Sequence, residues 1–125
     1  MIQSLLTVAL GGALGAVSRF LVSLSALRLI GPGFPWATLF VNVAGSLVMG
    51  VLAMVVAGKD PGRVQLFLMT GVLGGFTTFS AFSLDAVTLW QKSGAVPALA
   101  YVGASVVLSI IGLIAGMALA RGAFA

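Results

Sequence analysis

The amino-acid sequence predicts an all-α membrane protein whose single domain, residues 1–125, crosses the bilayer four times. The first observation is composition: 61% of the residues are hydrophobic and 6% are charged, whereas roughly a quarter of the residues of a soluble domain are charged. The second is length, because a helix needs about 20 mostly apolar residues to cross the hydrocarbon core. The third is that short turn-forming segments divide the chain into four stretches of that length.

Residues that end helices bound each predicted span. The four spans, with boundaries good to about four residues, are 2–27, 36–57, 64–89 and 95–120. The connections gather glycine, proline or charge: GPGFP at 31–35, GKDPGR at 58–63 and QKSG at 91–94. The first span lacks a basic leader and is long enough to cross a membrane, so we expect it to be retained rather than cleaved as a signal peptide.

Two missing residue types remove most enzyme chemistry. The chain contains no Cys and no His, which excludes disulfides, thiolate nucleophiles, imidazole bases and the usual zinc and haem ligands. The net charge of +4 comes from scattered Lys and Arg residues, without the polybasic cluster of a nucleic-acid or lipid-surface binder. We therefore expect neither an enzyme nor a nucleic-acid-binding protein.

The Lys and Arg residues divide evenly between the two predicted sides of the membrane. One side holds Lys59, Arg63 and Arg121, and the other holds Arg19, Arg28 and Lys92. Because an excess of Lys and Arg on cytoplasmic loops normally sets orientation, this balance gives insertion no clear preference. Two interpretations are open: the chain inserts both ways and pairs as an antiparallel dimer, or one charge near a span end, such as Arg19, sets a single orientation.

Two polar stripes run along the second and fourth spans. Their members recur at every fourth residue, which places each stripe on one helix face: Thr38, Asn42 and Ser46 on the second span, and Tyr101, Ser105 and Ser109 on the fourth. A single hydroxyl can instead bond back to a carbonyl of its own helix. Asn42 cannot satisfy two N–H donors and a carbonyl in that way, so its amide needs another helix, water or a ligand.

Uncharged hydrogen-bond donors of this kind suit an anion. The spans contain almost no carboxylate or amine apart from Arg19 and Asp85, which the predicted boundaries place towards span ends. Hydroxyl and amide hydrogens each contribute about 1.5 to 3 kcal/mol when their partner is charged. Burying a small ion without partners costs on the order of tens of kcal/mol, so several donors must act in sequence. Arg19 could draw anions to an aqueous mouth or serve as an interfacial anchor.

The third span contains GGFTTFSAF at 74–82, in which small and β-branched residues weaken the helix. These residues predict a helix break: Gly74, Gly75, Thr77 and Thr78. Carbonyls freed in a membrane must find partners within protein. At the negative end of a half-helix they form a site for a small alkali cation, and two copies meeting on a two-fold axis could share one ion.

Two aromatic residues follow the predicted break. Phe79 and Phe82 lie three positions apart, so their rings would face the same way if the helix resumes. An aromatic ring is electropositive at its edge. The rings could therefore border a narrow anion path, or they could simply fill the core.

Three segments resemble the Fluc (CrcB) family of small fluoride channels: GGALGAVSRF at 11–20, TLFVNVAGS at 38–46 and GVLGGFTTFSAFSLD at 71–85. The resemblance covers all four spans, and GGFTTFS after an upstream N-x-x-G motif is specific in so short a chain. It implies an antiparallel, dual-topology homodimer in the lipid bilayer, with two fluoride pores and a central structural sodium ion.

The resemblance also implies roles for individual residues. The backbone carbonyls of Gly74 and Thr77 would hold the sodium ion (Na+), with both subunits contributing. The implied fluoride pore comprises the two phenylalanines, residues of both polar stripes, a serine beside the phenylalanines and an arginine at the pore entrance: Asn42, Phe79, Phe82, Ser80, Thr38, Tyr101, Ser105, Ser109 and Arg19.

Two positions depart from the family pattern. Asp85 stands where Glu is usual, and Ala81 stands where Thr is common. The shorter acid leaves the part of Asp85 in permeation open, and the missing hydroxyl at Ala81 gives its neighbour Ser80 more weight.

The resemblance and the residues together predict a passive, fluoride-selective channel in a bacterial plasma membrane, with no catalysis. Selectivity against chloride would come from a narrow path whose donors replace the water of fluoride. A dual-topology secondary transporter is one alternative, but proton-coupled exchange usually needs a mid-membrane carboxylate, which the predicted spans lack. A structural subunit of a larger complex is another, and it leaves the polar stripes unexplained.

Overall fold

The computed structural model describes residues 1–60 and 62–124, and this part of the chain is almost entirely helical. Its elements are α1 (Ile2–Leu29), α2 (Trp36–Val55), α3 (Arg63–Gln65), a π-helical segment (Leu66–Leu73), α4 (Gly74–Phe76), α5 (Phe79–Ser93) and α6 (Ala95–Phe124). Within the described residues, four helices are long and apolar enough to cross a membrane: Ile2–Leu29, Trp36–Val55, Arg63–Ser93 and Ala95–Gly122. The prediction of four spans is confirmed, and each boundary lies within the expected margin.

Glycine shapes the connections between spans. Gly31 and Gly33 have φ angles of 91° and 123°, and Gly94, directly after α5, has a φ angle of 94°. Residues with a Cβ atom rarely adopt such a backbone, so these positions require glycine. Pro61, one of the turn signals of the second connection, lies outside the described residues.

The first and third spans pack closely and run in the same direction. A Cβ atom on Gly11 would lie 2.6 Å from the carbonyl oxygen of Phe67, and one on Gly15 would lie 2.7 Å from the backbone nitrogen of Phe76. Both distances are shorter than real Cβ contacts allow, so only glycine permits this approach. Helix association in a membrane relies on such van der Waals contact, because lipid supplies no hydrophobic drive between helices.

The second and fourth spans form an equivalent parallel pair. A Cβ atom on Gly112 would lie 3.2 Å from the carbonyl oxygen of Val43, and one on Gly116 would lie 3.0 Å from the backbone nitrogen of Val51. Gly11 and Gly15, and likewise Gly112 and Gly116, are four residues apart, and each pair lies at a close contact between two helices.

The third span is broken, as predicted, but only at its threonines. Thr77 (φ −82°, ψ 156°) and Thr78 (φ −153°, ψ 126°) are extended. The expectation that Gly74 and Gly75 belong to the break is wrong, because both are helical within α4. Gly75 serves packing instead: a Cβ atom there would lie 2.5 Å from the carbonyl oxygen of Gly12.

The span also departs from α-helical geometry before the break. Eight residues, Leu66–Leu73, form a π-helix. π-Helical geometry is rare and is often found at functional sites. Nothing in the sequence analysis indicated it.

Most large apolar side chains lie on the exterior of this chain. Among the residues whose burial the structure describes, Tyr101 and Val41 are the only large side chains that are completely buried, whereas Leu10, Phe20 and Ile111 are all more than half exposed. A soluble protein could not keep such a surface in water, but lipid or a second copy of the chain would cover it.

Candidate functional site

Asn42 on α2 holds the break in the third span. Its Nδ2 donates a hydrogen bond to the carbonyl oxygen of Thr78 (3.0 Å), and the backbone N–H of Thr78 donates to its Oδ1 (2.8 Å). The amide thus finds the partner that the sequence analysis required on another span. Extended backbone in a membrane leaves its polar groups unpaired, so these two hydrogen bonds make the break tolerable.

The two threonines complete the local hydrogen bonding. The backbone N–H and the hydroxyl of Thr77 both donate to the carbonyl oxygen of Leu73, at 3.0 and 2.9 Å. The hydroxyl of Thr78 accepts from the N–H of Ala81 (3.1 Å) and so caps the start of α5. Threonine is a favourable N-cap residue, which explains why α5 resumes immediately after it.

Arg19 lies against the first half of the broken span. Its Nε donates to the carbonyl oxygen of Gly75 (3.2 Å), one of the carbonyls that the end of a helix leaves without a partner. Arg19 lies ten residues before the end of α1, about 15 Å along the helix. Arg19 therefore lies well inside the span, and the expectation that it lies towards a span end is wrong. Without Arg19, its side of the membrane holds two positive charges, Arg28 and Lys92, against three on the other side. The two sides are therefore nearly, but not equally, charged.

The two predicted sodium ligands are carbonyls that their own helix does not use. In an α-helix the N–H of Thr78 would donate to the carbonyl of Gly74, but here it donates to Asn42. Likewise, the N–H of Ala81 would reach the carbonyl of Thr77, but it donates to the Thr78 hydroxyl. Within the described residues neither carbonyl has another backbone donor, and Gly74 is exposed.

This arrangement fits a small hard cation, which prefers oxygen ligands. One chain presents two such carbonyls, fewer than an alkali ion needs. A second chain or water would have to supply the others.

A groove of about 350 Å³ lies between α2, the break and α6. We call it the polar groove, and its polar lining consists of Asn42, Ser46, Thr77, Thr78, Ser105 and Ser109. Its apolar lining includes the rings of Phe79 and Phe82 at one end and Met49, Ile110 and Leu113 at the other. The structure thus brings the two predicted stripes together on facing helices.

The two phenylalanine rings lie side by side at the groove. Their centroids are 5.5 Å apart and their planes are inclined by 55°. Phe79 is 78% exposed, so it does not fill the core of this chain, whereas Phe82 packs on Tyr101 with ring centroids 5.4 Å apart. Core filling therefore explains part of the role of Phe82, through its contact with Tyr101, but it does not explain Phe79.

Ser105 presents an unused donor to the polar groove. The residue is 5% exposed, and its Oγ is the one buried side-chain polar atom in the described part of the chain without a hydrogen-bond partner. Back-bonding to the helix, the alternative considered for each hydroxyl, is seen at Ser83 and Thr77 but not here. Buried polar atoms normally find partners, so this hydroxyl is a candidate donor to a ligand in the groove.

A carboxylate joins the ends of the two stripes. Thr38 Oγ1 donates to Asp85 Oδ2 (2.6 Å), and the hydroxyl of Tyr101 donates to the same oxygen (3.3 Å). We call these three residues the Asp85 cluster. The spacing of the stripes predicts both donors but not their shared acceptor. An acid within a predicted span of a chain that has only two acidic residues was the signal that could have identified it.

Asp85 precedes the end of α5 by eight residues, about 12 Å. Its contact with Thr38, the third residue of α2, nevertheless places it near the loop end of the helix bundle.

Four predicted pore residues are not part of the groove lining: Thr38, Tyr101, Arg19 and Ser80. Ser80 is exposed, and its Oγ lies 3.5 Å from that of Thr78. The pore roles of these four residues, like those of the other predicted pore residues, stay predictions.

Sequence comparisons identify close relatives over the whole chain. The model of the family described as "CrcB-like protein, Camphor Resistance (CrcB)" matches residues 6–117. A Cereibacter sphaeroides protein named "Fluoride-specific ion channel FluC" is 62% identical over 122 residues, which cover 98% of each chain. Proteins of the same name from Paracoccus denitrificans (53% identical, 100% of each chain) and Rhizobium etli (54% identical, 97% of this chain and 98% of the relative) are also similar.

The residues matched by the family model include parts of all four spans, the break and the polar groove. The chain belongs to the CrcB family.

Proposed function

We propose that this chain is a fluoride-selective channel in the plasma membrane of a bacterium, through which fluoride leaves the cell down its electrochemical gradient. The observation that supports it most strongly is the 62% identity, over 98% of this chain, to a protein named as a fluoride-specific ion channel. A channel of this kind performs no catalysis, in keeping with a chain that lacks Cys and His.

The polar groove supplies the donors that such an ion needs. Fluoride entering it would exchange water for hydroxyl hydrogens, beginning with the unpaired hydroxyl of Ser105 and that of Ser109 on the same face of α6. A donor to a charged partner contributes about 1.5 to 3 kcal/mol. Successive donors can therefore replace hydration gradually without holding the ion too tightly to leave.

The aromatic pair would restrict the path beside these donors. Phe79 and Phe82 form a tilted pair whose electropositive edges can face an anion without adding a full charge. Because chloride is larger than fluoride and gains less from small hydroxyl donors, a narrow aromatic passage disfavours it. Asn42 fixes the backbone that precedes these rings and so sets their position.

The channel acts as an antiparallel homodimer in lipid, with two pores. The open side of the polar groove and the exposed ring of Phe79 leave one face of the path without a wall. A second copy in the opposite orientation would provide that wall, and the near balance of loop charges permits both insertions. Lipid covers the remaining apolar exterior.

A sodium ion shared by the two copies would stabilise the dimer. Its ligands in this chain are the carbonyls of Gly74 and Thr77, which have no backbone donor in the described residues. When bound, the ion supplies a positive charge at the negative end of the first half-helix. Arg19 already offsets part of that end through Gly75.

The test is reconstitution of the purified protein into liposomes, with fluoride release followed by an ion-selective electrode. We expect rapid fluoride release and little chloride release under the same gradient. Equal passage of both ions would contradict selectivity, and no fluoride release from correctly folded protein would contradict the function.

A further inference from the structure

A loop residue extends the aromatic row beyond the polar groove. The ring of Phe34, in the connection between α1 and α2, lies edge-on to the ring of Tyr101, with centroids 5.5 Å apart and planes at 88°. Tyr101 in turn contacts Phe82 (5.4 Å), which contacts Phe79 (5.5 Å). The rings thus form an unbroken series from the helix break to the loop, and Phe34 is the member that does not belong to a span.

The loop backbone fixes the position of Phe34. Gly31 and Gly33 have positive φ angles, which turn the chain sharply on the N-terminal side of Phe34. On the other side, Pro35 (φ −80°, ψ 68°) is the centre of an inverse γ-turn, in which the N–H of Trp36 donates to the carbonyl of Phe34 (2.9 Å). The side chain of Trp36 also packs on that of Phe34, with ring centroids 4.5 Å apart.

Phe34 packs against Tyr101, one member of the Asp85 cluster, at the loop end of the helix bundle. Thr38 is the third residue of α2 and Tyr101 the seventh residue of α6, so both lie in the first two turns beside the loop. Tyr101 has no exposed surface, although it lies this close to a helix end. The ring of Phe34, packed on the small core of Leu89, Ala98 and Tyr101, is one of the groups that bury it.

We propose that Phe34 closes the loop end of the ion path and keeps water from the Asp85 cluster. This inference rests on the proposed channel function. An ion that passes Phe82 towards the loop reaches the cluster and then the ring of Phe34, so this ring sets how much water accompanies it there. Phe34 is also a positioning residue, because it holds the ring of Tyr101 while the Tyr101 hydroxyl donates to Asp85.

The chain has no Cys, so one introduced thiol can report water access. Ala98 is 2% exposed and has no place in the proposed pore, which makes Ala98→Cys a suitable reporter. In liposomes, a water-soluble methanethiosulfonate reagent should modify this thiol slowly when Phe34 is present. Phe34→Ala should increase the rate roughly three- to tenfold, the range expected for the loss of one aromatic pair.

Ion passage is then measured in Phe34 variants that do not carry the Ala98→Cys reporter. Phe34→Ala should raise the ratio of chloride to fluoride release by about the same three- to tenfold factor, whereas Phe34→Tyr should preserve the ratio. Phe20→Ala is the matched control, because Phe20 is an exposed ring on α1, and it should change neither readout. If Phe34→Ala does not assemble, Phe34→Leu, which keeps apolar volume but removes the ring, takes its place.

An unchanged modification rate and an unchanged ion ratio in the folded Phe34 variant would overturn the proposal. A faster rate without a change in ion ratio would also overturn it, since Phe34 would then bury the cluster without controlling the path. If the unsubstituted chain releases no fluoride, the proposed function fails instead, and that result is recognised before any Phe34 variant is compared.

Discussion

The side-chain amide of Asn42 pairs with the backbone of Thr78 as a strand would, accepting from its N–H at 2.8 Å and donating to its carbonyl at 3.0 Å. This pairing spans 36 positions of the chain and joins the second span to the break of the third. It leaves the carbonyl of Gly74 without its usual helical donor and sets the start of α5, on which Phe79 and Phe82 lie.

Asn42→Ala should destabilise the protein and slow fluoride release together. Two hydrogen bonds are lost and two backbone groups are left unpaired, which should lower the free energy of unfolding by about 2 kcal/mol or more. Thermal unfolding in detergent and fluoride release from liposomes measure the two effects. Thr7→Ala, which removes an exposed hydroxyl bonded to its own helix, is the control and should alter neither. An Asn42→Ala protein of unchanged stability would contradict the bracing role of the amide.

Ser105→Ala should have opposite effects on stability and on flux. The hydroxyl is buried without a partner, a state that costs about 1 to 3 kcal/mol, so its removal should leave stability unchanged or raise it. Fluoride release should fall roughly tenfold or more, because a donor to the ion is lost. Ser83→Ala removes an exposed hydroxyl already satisfied by its own helix and should leave flux unaltered. Undiminished flux in the Ser105 variant would exclude this hydroxyl from the path.

Phe79→Ile and Phe82→Ile should each reduce fluoride release sharply while the dimer persists. The substitution keeps an apolar side chain but removes the electropositive ring edge. Flux assays measure the loss, and size-exclusion chromatography verifies assembly. Full activity of both variants would remove the rings from the mechanism.

Gly45→Ala should disturb the break without touching the pore donors. A Cβ atom at Gly45 would collide with Cγ2 of Thr77, and overpacking of this kind typically costs about 1 to 3 kcal/mol. We expect reduced thermal stability and reduced fluoride release. Gly103→Ala adds a methyl group where no atom lies within 4 Å of its Cβ position, so it should be neutral in both assays. Equal behaviour of the two variants would argue against tight docking of the break on α2.

Removal of sodium should weaken the dimer. The proposed ligands are backbone carbonyls, which substitution cannot delete, so the experiment changes the buffer. Protein purified with N-methylglucamine in place of sodium should dissociate at a lower concentration or temperature, and added sodium should restore the dimer. The same dissociation curve in both buffers would rule against a shared sodium site.

Much of the architecture could be predicted because it depends on local physics. The cost of placing charge and unpaired backbone in lipid requires long apolar helices with short polar connections, so hydropathy and turn residues located the four spans. The i, i+4 spacing placed Asn42, Ser105 and Ser109 on helix faces, and the structure brings those faces to one groove. The two threonines signalled the break, since both favour extended backbone and one can cap the next helix.

Other features depend on contacts between residues distant in sequence. Neither hydropathy nor spacing could show that Arg19 bonds to Gly75, 56 positions away, or that Thr38 bonds to Asp85, 47 positions away. The same holds for Gly75, which packs against Gly12 of α1, and for the ring of Phe34 on Tyr101.

The sequence by itself determined that this chain is a four-span membrane protein with a weakened third helix and two uncharged polar stripes. Only the tertiary structure decided which carbonyls lack a helical donor, which hydroxyl stays unpaired and which loop side chain packs on Tyr101. The physical reason is that solvation acts on each segment separately, whereas the use of a hydrogen bond depends on which partner the packed helices bring within about 3 Å.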